Sequence, residues 1–303
     1  MHDLANAVRW SPGIAADRRD RAVVALESSV LAQGLPIPAN REAERRMREA
    51  VIAAGAMPAV LAVVRGVPMV GLEGDDLERF LRRDGVEKVS ARDLGWAVAR
   101  GLDGATTVAA SLALCSAAGI DVFATGGIGG VHREPFDESA DLIALSRSSV
   151  ITVCAGAKSV LDLPATLERL ESCGVAVIGF GTDEFPGFFT RHTGLPLAHS
   201  TSEPADIVRA FVAHRALGQP GALLVVQQPP AAHALDAALV EGAVQRALAA
   251  ARTAGVSGSA VTPFLLSAVE RETGGASLPA NLALLEANAN LAARIAVALR
   301  EAG

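Results

Sequence analysis

Short apolar runs alternate with longer amphipathic segments along most of this 303-residue chain. The apolar runs, such as VVALESSV and VITVCAG, are rich in valine and isoleucine, which is typical of strands buried on both faces of a sheet. The segments between them show helical periodicity, as in REAERRMREAVIAAG, where Asn40 is placed to cap the helix. This alternation predicts an α/β fold with three α/β/α layers and a mainly parallel central sheet.

The pattern indicates one main domain. The runs AVLAVV and VPMVGL, separated by Arg65 and Gly66, predict a β-hairpin, and the pattern is helical from about Asp236 to the end. No internal repeat, low-complexity tract or long linker interrupts the chain. Residues 21–303 are therefore expected to form a single domain, preceded by a loose, polar N-terminal leader over residues 1–20.

Charge and cysteine content argue against several classes of protein. A formal charge of −6 and a pI near 5.6 disfavour a broad nucleic-acid-binding surface, while a compact basic pocket for one phosphate remains compatible with them. No secretory signal and no apolar run of roughly 18 residues is present, so a cytoplasmic protein without membrane contact is expected. Three cysteines are too scattered for a disulfide framework or a zinc site and are expected to be buried: Cys115, Cys154 and Cys173.

Lysine is scarce in this chain. Of the 27 basic residues only Lys88 and Lys158 are lysines, so arginine serves wherever a generic positive charge suffices. An amine can lose its proton and attack a carbonyl group, whereas a guanidinium cannot. Lys158 follows a predicted strand, where burial can depress the pKa of an amine. Two lysines left by chance on a solvated face are the alternative interpretation.

A glycine-rich segment, ATGGIGGVHR, also follows a predicted strand. Its four closely spaced glycines allow a ligand to approach the backbone and offer N–H groups to an anion. It lacks the lysine of a Walker loop and the spacing of a dinucleotide fingerprint. A purely structural tight turn is an equally good interpretation, and His132 at its end is either a ligand contact or a packing histidine.

Acidic residues stand at two further positions of interest. The segment FDESADL precedes a predicted helix, and capping by Asp137 or Ser139 is its ordinary interpretation, with a metal or sugar site as the other. Glu27 follows the apolar VVAL at a strand end. Partial burial there raises the pKa of a carboxyl group and suits it to act as a general acid, whereas a solvent-facing Glu27 is the alternative.

Aromatic and amide residues complete the set of candidates. TDEFPGFFT follows a predicted strand and contains three of the nine phenylalanines, which either face a planar ligand or pack in the core. Asn281 and Asn288 lie in helical patterns, where asparagine is not favoured. Solvent exposure or a hydrogen bond to a ligand explains an asparagine at such a position.

Several long motifs in a fixed order resemble the pseudouridine-5'-phosphate glycosidase family, also called indigoidine synthase A-like. The resemblance runs from about Val24 to Val297. The motifs that carry it are ALESS, EKVS followed by ARDL, GATTV, FATGGIGGVHR, DESADL, VCAGAKS, GTDEFP, TPFLL and PANLALLEANANLAA. Such a series is far more specific than any single glycine-rich turn. Ser29 and Gln33, where threonine and histidine are common, and a short loop after His132 depart from the family pattern.

The resemblance implies roles for particular residues. Glu27 would be the proton donor and Lys158 the covalent nucleophile, with Asp141 assisting proton transfer. Asp137 would bind a divalent cation, usually Mn²⁺ in this family. The remaining residues would bind substrate, those of EKVS and GATTV at its phosphate end: Lys88, Thr107, Val108, His132, Ser139, Ala140, Asp141 and Asn281.

The implied reaction is reversible cleavage of pseudouridine 5'-phosphate into uracil and ribose 5-phosphate by a homotrimeric, lyase-class enzyme. Because the bond joins two carbons, no heteroatom can be protonated, and the two-carboxylate mechanism of common glycosidases is inadequate. An imine between Lys158 and C1' of the opened ribose would supply an electron sink. The alternatives are another imine-forming sugar-phosphate lyase, a family member redirected to a pigment pathway, and a non-catalytic nucleotide-binding protein.

Overall fold

A large twisted sheet forms the centre of the protein. The computed structural model describes residues 8–133, 137–256 and 261–302. Within them the strands are β1 (Arg9–Trp10), β2 (Val23–Glu27), β3 (Met57–Val64), β4 (Val67–Val70), β5 (Val86–Val89), β6 (Asp103–Thr106), β7 (Val122–Ala124), β8 (Val131–His132), β9 (Ile151–Cys154), β10 (Leu161–Asp162), β11 (Ala176–Phe180), β12 (Ser200–Thr201) and β13 (Leu223–Val226).

The sheet is mainly parallel, as the sequence predicts. Its main path runs β1-β4-β3-β2-β7-β9-β13-β11-β12, and β6 joins it beside β3 with β5 on its outer side. All described pairs in this sheet are parallel except β3 with β4 and β3 with β6. The short strands β8 and β10 form a separate antiparallel pair. The neighbouring strands β2, β7 and β9 lie at the centre of the sheet, where they are buried.

Helices cover the sheet on both faces and complete the predicted three layers. They are α1 (Pro12–Asp17), α2 (Ala39–Ala53), α3 (Gly74–Arg82), α4 (Leu94–Ala99), α5 (Val108–Ala118), α6 (Ala140–Arg147), α7 (Leu163–Ser172), α8 (Pro204–Ala216), α9 (Ala237–Thr253), α10 (Val261–Glu272) and α11 (Ser277–Ala302). On one face α11 crosses β2, β7 and β9, with α2 and α8 beside it. On the other face α5 packs on β2 and β7 and contacts α6, which in turn contacts α7.

The predicted hairpin is present between β3 and β4. Val64 pairs with Val67, so Arg65 and Gly66 form a two-residue turn in which both φ angles are positive, 47° and 79°. Such a turn matches the twist of the flanking strands but places a non-glycine residue, Arg65, in the left-handed region. The hairpin reverses the chain, so β4 runs antiparallel to β3 at this end of the sheet.

Two expectations differ from the structure, and one segment without a prediction forms a strand. The leader is not loose over its described part: residues 1–7 lie outside the described residues, but Arg9–Trp10 pair with β4 and Pro12–Asp17 form a helix. Asn40 is not a cap, because it lies inside α2 and its buried amide donates to the carbonyl oxygens of Leu31 and Leu81. The EKV segment, which has no clear strand pattern, forms β5 because β6 supplies a parallel partner.

The longest helix, α11, contains a long apolar stretch. Among the described residues, α11 is the one helix whose length and composition would allow it to cross a membrane. Most of that apolar stretch is buried inside the protein, as in the core helix of a folded domain. Of the cysteines, Cys115 and Cys154 are buried and Cys173 is half-buried, and none forms a disulfide. The interpretation of the cysteines as small hydrophobic residues agrees with this placement.

The sheet brings four chain segments to one edge. Glu27 and Thr125 end or follow the neighbouring parallel strands β2 and β7, and the segment with Lys158 follows β9, so their carboxyl ends lie side by side. Strand β6 runs opposite to β3, yet its last residue reaches the same edge: the Thr106 amide donates to the Ser28 hydroxyl at 2.9 Å. The start of α5 is thereby carried to the carboxyl ends of the central strands, where ligands bind in sheets of this kind.

Candidate active site

Two adjoining cavities lie at this edge of the sheet. The larger has a volume of about 680 Å³ and the smaller of about 320 Å³. Four residues line both cavities and so mark the place where they meet: Glu27, Ser29, Lys88 and Lys158. Every residue that the sequence analysis assigned to a site lines one or both of them. Those in the larger cavity alone are Thr107, Val108, His132, Asp137, Ser139, Ala140 and Asp141, and Asn281 lines the smaller one.

Glu27 is buried at the junction, with only 6 % of its surface exposed. Its Oε1 accepts a hydrogen bond from the Thr125 hydroxyl at 2.5 Å, and its Oε2 accepts one from the Ser29 hydroxyl at 2.9 Å. Burial raises the pKa of Glu27 above its ordinary value, although the Lys158 charge and both hydroxyl donors oppose this shift. The carboxyl group therefore keeps its proton to a higher pH than a glutamic acid in water, as a general acid requires. The expected burial of Glu27 is confirmed.

Lys158 lies in the turn that follows β9. Its backbone amide donates to the Ile128 carbonyl at 3.1 Å, which joins this turn to the glycine-rich segment. The preceding Gly156 has a φ of 83°, and a side chain at that position would collide with the Pro186 carbonyl oxygen. Within the described chain, the Lys158 side chain has no hydrogen-bond partner. Its amine is half-buried at the cavity junction, where a substrate carbonyl would reach it.

The glycine-rich segment binds a carboxylate of the protein itself. The Gly129 amide donates to Oδ2 of Asp141 at 2.8 Å, and the Ala109 amide, in the first turn of α5, donates to Oδ1 at 3.0 Å. Asp141 therefore ties the glycine-rich segment to the start of α5. A side chain at Gly129 would overlap the Ser139 hydroxyl, so close packing is one reason for glycine there. The structural turn foreseen from the sequence is present, and binding of a ligand anion by this segment stays a prediction.

The larger cavity is lined by both a lysine and the start of a helix. Lys88 projects from β5 and is exposed to the cavity. Desolvation by the surrounding protein and the nearby Lys158 charge lower the pKa of Lys88. Thr107 caps α5, since its hydroxyl accepts from the Ala110 amide at 3.4 Å, and Val108 is the first residue of that helix. A lysine facing the N-terminus of a helix is an arrangement suited to a phosphate group.

The acidic segment lines the wall of the same cavity. Ser139 caps α6 by accepting a hydrogen bond from the Asp141 amide, so the capping interpretation is confirmed for Ser139. Asp137 is exposed, its Oδ1 accepts from the Glu138 amide, and its carbonyl accepts from the His132 amide. Burial lowers the pKa of His132, which favours a neutral ring. The short loop after His132 cannot be compared, because residues 134–136 lie outside the described residues.

The donor set around Asp137 fits a hydrated hard cation. No group of three or more histidine, cysteine or acidic side chains with metal-binding geometry occurs among the residues the structure describes. An exposed carboxylate on a water-accessible wall is nonetheless the kind of ligand that Mg²⁺ or Mn²⁺ takes when it keeps most of its water. Asp137 is therefore compatible with a cation that is coordinated mainly by water.

The smaller cavity has an aromatic and glycine-lined wall. Phe188 and Phe189 are each 3 % exposed and line it, together with Gly126, Gly127 and Asn281. A side chain at Gly127 would collide with the Phe188 ring, so the glycine allows the ring to lie against the backbone. Phe185 is fully buried in the core. Core packing is therefore confirmed for Phe185, and contact of Phe188 and Phe189 with a planar ligand stays a prediction that their place on this wall supports.

Sequence reasoning missed Thr125 and left Asn288 without a function. Thr125 directly follows strand β7, and Glu27 is the last residue of strand β2. Because Leu26 pairs with Ala124 in these neighbouring strands, Glu27 and Thr125 lie side by side. Asn288 is buried in α11, and its amide donates to the carbonyl oxygens of Thr125 at 2.9 Å and Gly126 at 3.2 Å. The Gln227 amide donates to Oδ1 of Asn288 at 2.9 Å. An asparagine inside a helical pattern, where this residue type is not favoured, was the available signal for Asn288.

Comparison with protein families gives one model that spans most of the chain. The model described as Indigoidine synthase A like protein matches residues 14–298. A protein of Gemmatimonas aurantiaca named pseudouridine-5'-phosphate glycosidase is 65 % identical over 284 residues, covering 93 % of each chain. One of Herpetosiphon aurantiacus with the same name is 52 % identical over 288 residues, covering 94 % of this chain and 95 % of the relative.

Solved structures share the fold over nearly the whole chain. The prealnumycin C-glycosynthase AlnA, in complex with ribulose 5-phosphate, superposes with a TM-score of 0.90 at 37 % identity, covering 97 % of both chains. An indigoidine synthase A-like protein from Thermotoga maritima superposes with a TM-score of 0.89 at 33 % identity, covering 97 % of this chain and 96 % of the other.

Proposed function

This chain belongs to the indigoidine synthase A-like family, and we propose that it is a pseudouridine-5'-phosphate glycosidase. It cleaves the carbon–carbon glycosidic bond of pseudouridine 5'-phosphate and yields uracil and ribose 5-phosphate. The observation that carries the proposal is the junction of two cavities, where a buried glutamic acid and a lysine amine share one wall. Relatives up to 65 % identical bear the name of this activity, and the sugar phosphate bound by the C-glycosynthase supports the substrate class.

The chemistry needs an amine and an acid at one carbon–carbon bond. The Lys158 amine bonds to C1' as the bond from C1' to the ring oxygen O4' breaks and O4' takes a proton, which opens the ribose ring. The nitrogen lone pair then forms a C=N bond as the bond from C1' to uracil C5 breaks. The electron pair of the broken bond goes to C5, which takes a proton, and Glu27 is placed to give it. Water then adds to the imine, which releases ribose 5-phosphate and restores the amine.

The two cavities divide the substrate between them. The flat uracil ring fits the smaller cavity, between the phenylalanine wall and Asn281. The ribose and its phosphate fit the larger cavity, where Lys88 and the start of α5 face the anion. Binding of the phosphate, which takes no part in the bond cleavage, supplies binding energy that holds C1' against the amine. In this arrangement Thr107, Val108, His132, Ser139 and Ala140 contact the sugar phosphate.

A divalent cation is part of the proposal. Asp137 would hold Mn²⁺ through one carboxylate, with water as the other ligands, and the bound cation would orient substrate and water by charge. Asp141 remains a proposed aid to proton transfer, although its carboxylate oxygens also accept two backbone amides. A cytoplasmic homotrimer completes the proposal, and light scattering measures its size.

A related activity is the second candidate. The similarity to a C-glycosynthase favours a redirected member that joins or cleaves a different aromatic group at the same sugar carbon. Both candidates use an imine on Lys158 and a sugar phosphate. They differ in the occupant of the smaller cavity, so uracil dependence distinguishes them. An imine-forming lyase without any base substrate would show the adduct but no requirement for uracil.

The experiment is synthesis in the presence of Mn²⁺, ribose 5-phosphate and uracil, followed by chromatography for pseudouridine 5'-phosphate. A parallel sample is reduced with borohydride, and peptide mass spectrometry locates the sugar adduct. Because the chain has only two lysines, the variants Lys158→Arg and Lys88→Arg form a matched pair. We expect Lys158→Arg to lose both product and adduct and Lys88→Arg to keep the adduct. An unchanged Lys158→Arg enzyme would exclude the imine mechanism.

A further inference from the structure

The proposed chemistry leaves one buried polar network without a function. It begins at the Glu27 carboxyl group, continues through Thr125 and ends at Asn288 and Gln227. Thr125 and Asn288 are each only 1 % exposed, so neither is open to substrate. Buried polar groups of this kind are costly unless they are fully hydrogen-bonded.

The two oxygens of the Glu27 carboxyl group have different surroundings. Oε1 accepts from the Thr125 hydroxyl at 2.5 Å, on the side of the carboxyl group where the protein is closed. Oε2 accepts from the Ser29 hydroxyl at 2.9 Å, and Ser29 lines both cavities. Only Oε2 therefore belongs to the side of the group that a substrate approaches.

Asn288 fixes the peptide that carries the Thr125 hydroxyl. One side-chain amide group donates to two successive carbonyl oxygens, those of Thr125 and Gly126. From the other side, the Ala155 amide donates to the Gly126 carbonyl at 2.9 Å, and the Thr125 amide donates to the Val153 carbonyl at 3.0 Å. The Thr125 backbone is thus held by α11 and by β9, and its hydroxyl has little freedom to leave Oε1.

We propose that Thr125 is a positioning residue that holds Oε1 of Glu27 on the closed side, so that the proton is exchanged with the substrate through Oε2. Asn288 supports it by fixing the Thr125 peptide. This inference rests on the proposed function, because it concerns the proton that Glu27 gives to uracil. It adds a residue that touches neither substrate nor any reacting atom.

The inference predicts a change in pH dependence. The charged groups that face Glu27 are Lys158, Lys88 and Asp141, and they stay in place when only the Thr125 hydroxyl is removed. A hydroxyl donor favours the ionised carboxyl group, so its loss raises the pKa of Glu27. In the cleavage direction the protonated form of Glu27 is active. The rate falls as pH rises through this pKa, and the fall should therefore occur at higher pH in the variant.

The test compares Thr125→Val with the wild-type enzyme by pH profiles of kcat/KM and by kcat. We expect the alkaline limb to move to higher pH and kcat to fall by about tenfold to a hundredfold, as proton transfer loses its alignment. Thr125→Ser keeps the hydroxyl and should return the limb to its wild-type position. Thr152→Val is the matched control, because Thr152 is also buried next to β7 but its hydroxyl has no partner in the described structure.

Folding and function are kept apart by three comparisons. Thr125→Ala, which also lacks the hydroxyl but has a smaller side chain, replaces Thr125→Val if that variant does not fold. The role of Thr125 would be overturned if the alkaline limb does not move in the hydroxyl-free variant that folds. An equal shift of the limb in Thr152→Val would overturn it too, and both outcomes leave the glycosidase proposal intact. No cleavage by the wild-type enzyme, with Mn²⁺ and intact fold, would refute the proposed function itself.

Discussion

Replacing Asn288 by alanine tests how much the central buried amide contributes to stability. In the described structure the Thr125 carbonyl loses its only hydrogen bond, as does the Gln227 side-chain amide, while the Gly126 carbonyl keeps the bond from the Ala155 amide. Leaving one buried polar group unpaired costs about 1–3 kcal/mol. Two such groups, less about 0.5 kcal/mol gained from the helix propensity of alanine, give a loss of about 1.5–5.5 kcal/mol.

The assay is thermal unfolding with Asn290→Ala as the control. Asn290 is half-buried in the same helix and has no side-chain hydrogen bond among the described residues. With about 2.1 cal/mol/K of unfolding entropy per residue, 303 residues give a decrease of about 2–9 °C in Tm for Asn288→Ala. The control should stay unchanged or rise slightly. Equal Tm values for both variants would refute the assignment of these hydrogen bonds to stability.

The same variant has a kinetic consequence. Asn288 fixes the peptide of Thr125, which contacts Glu27 and not the substrate, so we expect kcat to fall while KM changes little. An increase of KM with unchanged kcat would instead indicate a role in binding.

Three further predictions concern other parts of the molecule. Asp103→Asn should lower the free energy of unfolding by about 1–3 kcal/mol. Burial alone raises the pKa of Asp103, but hydrogen bonds from Arg79 and the Arg65 amide bring it below its ordinary value, so the stability that this carboxylate contributes is present above about pH 4 and is lost on further acidification. Urea unfolding at several pH values should show that this contribution is missing in the variant. Lys88→Arg should raise KM for pseudouridine 5'-phosphate about tenfold in steady-state kinetics, because a guanidinium fills the phosphate end of the cavity differently, and an unchanged KM would contradict the phosphate assignment. Asp137→Asn should weaken Mn²⁺ binding at least about tenfold in electron paramagnetic resonance titrations of free Mn²⁺. The control is Glu138→Gln, because the Glu138 carboxylate pairs with Arg169, and equal weakening by this variant would argue against Asp137 as the ligand.

The chain's local patterns determined the class of fold. Apolar runs such as VITVCAG became the buried central strands, and the turn at Arg65 and Gly66 became a hairpin, because strand burial and turn geometry depend on residues close together in the chain. The scarcity of lysine likewise pointed to Lys158 and Lys88, and both face the junction of the cavities. Side-chain chemistry is visible in a sequence when a residue type is used sparingly.

The exceptions had partners elsewhere in the chain. The EKV segment became a strand because β6 pairs with it, and Asn40 joined two distant carbonyl oxygens where its sequence context suggested a helix cap. Propensity is a weak guide at such positions, since a tertiary partner contributes more free energy than the local preference.

The surroundings of Glu27 were decided by tertiary structure alone. Thr125 donates to Glu27 across 98 residues of sequence, and Asn288 donates to the Thr125 carbonyl across 163. No local pattern encodes these contacts, because they arise from the order in which parallel strands pair and from the helix that crosses them. The sequence alone pointed to Glu27 and Lys158, whereas the packing of α11 against β7 and β9 brings Asn288 to the peptide of Thr125, whose hydroxyl donates to Glu27.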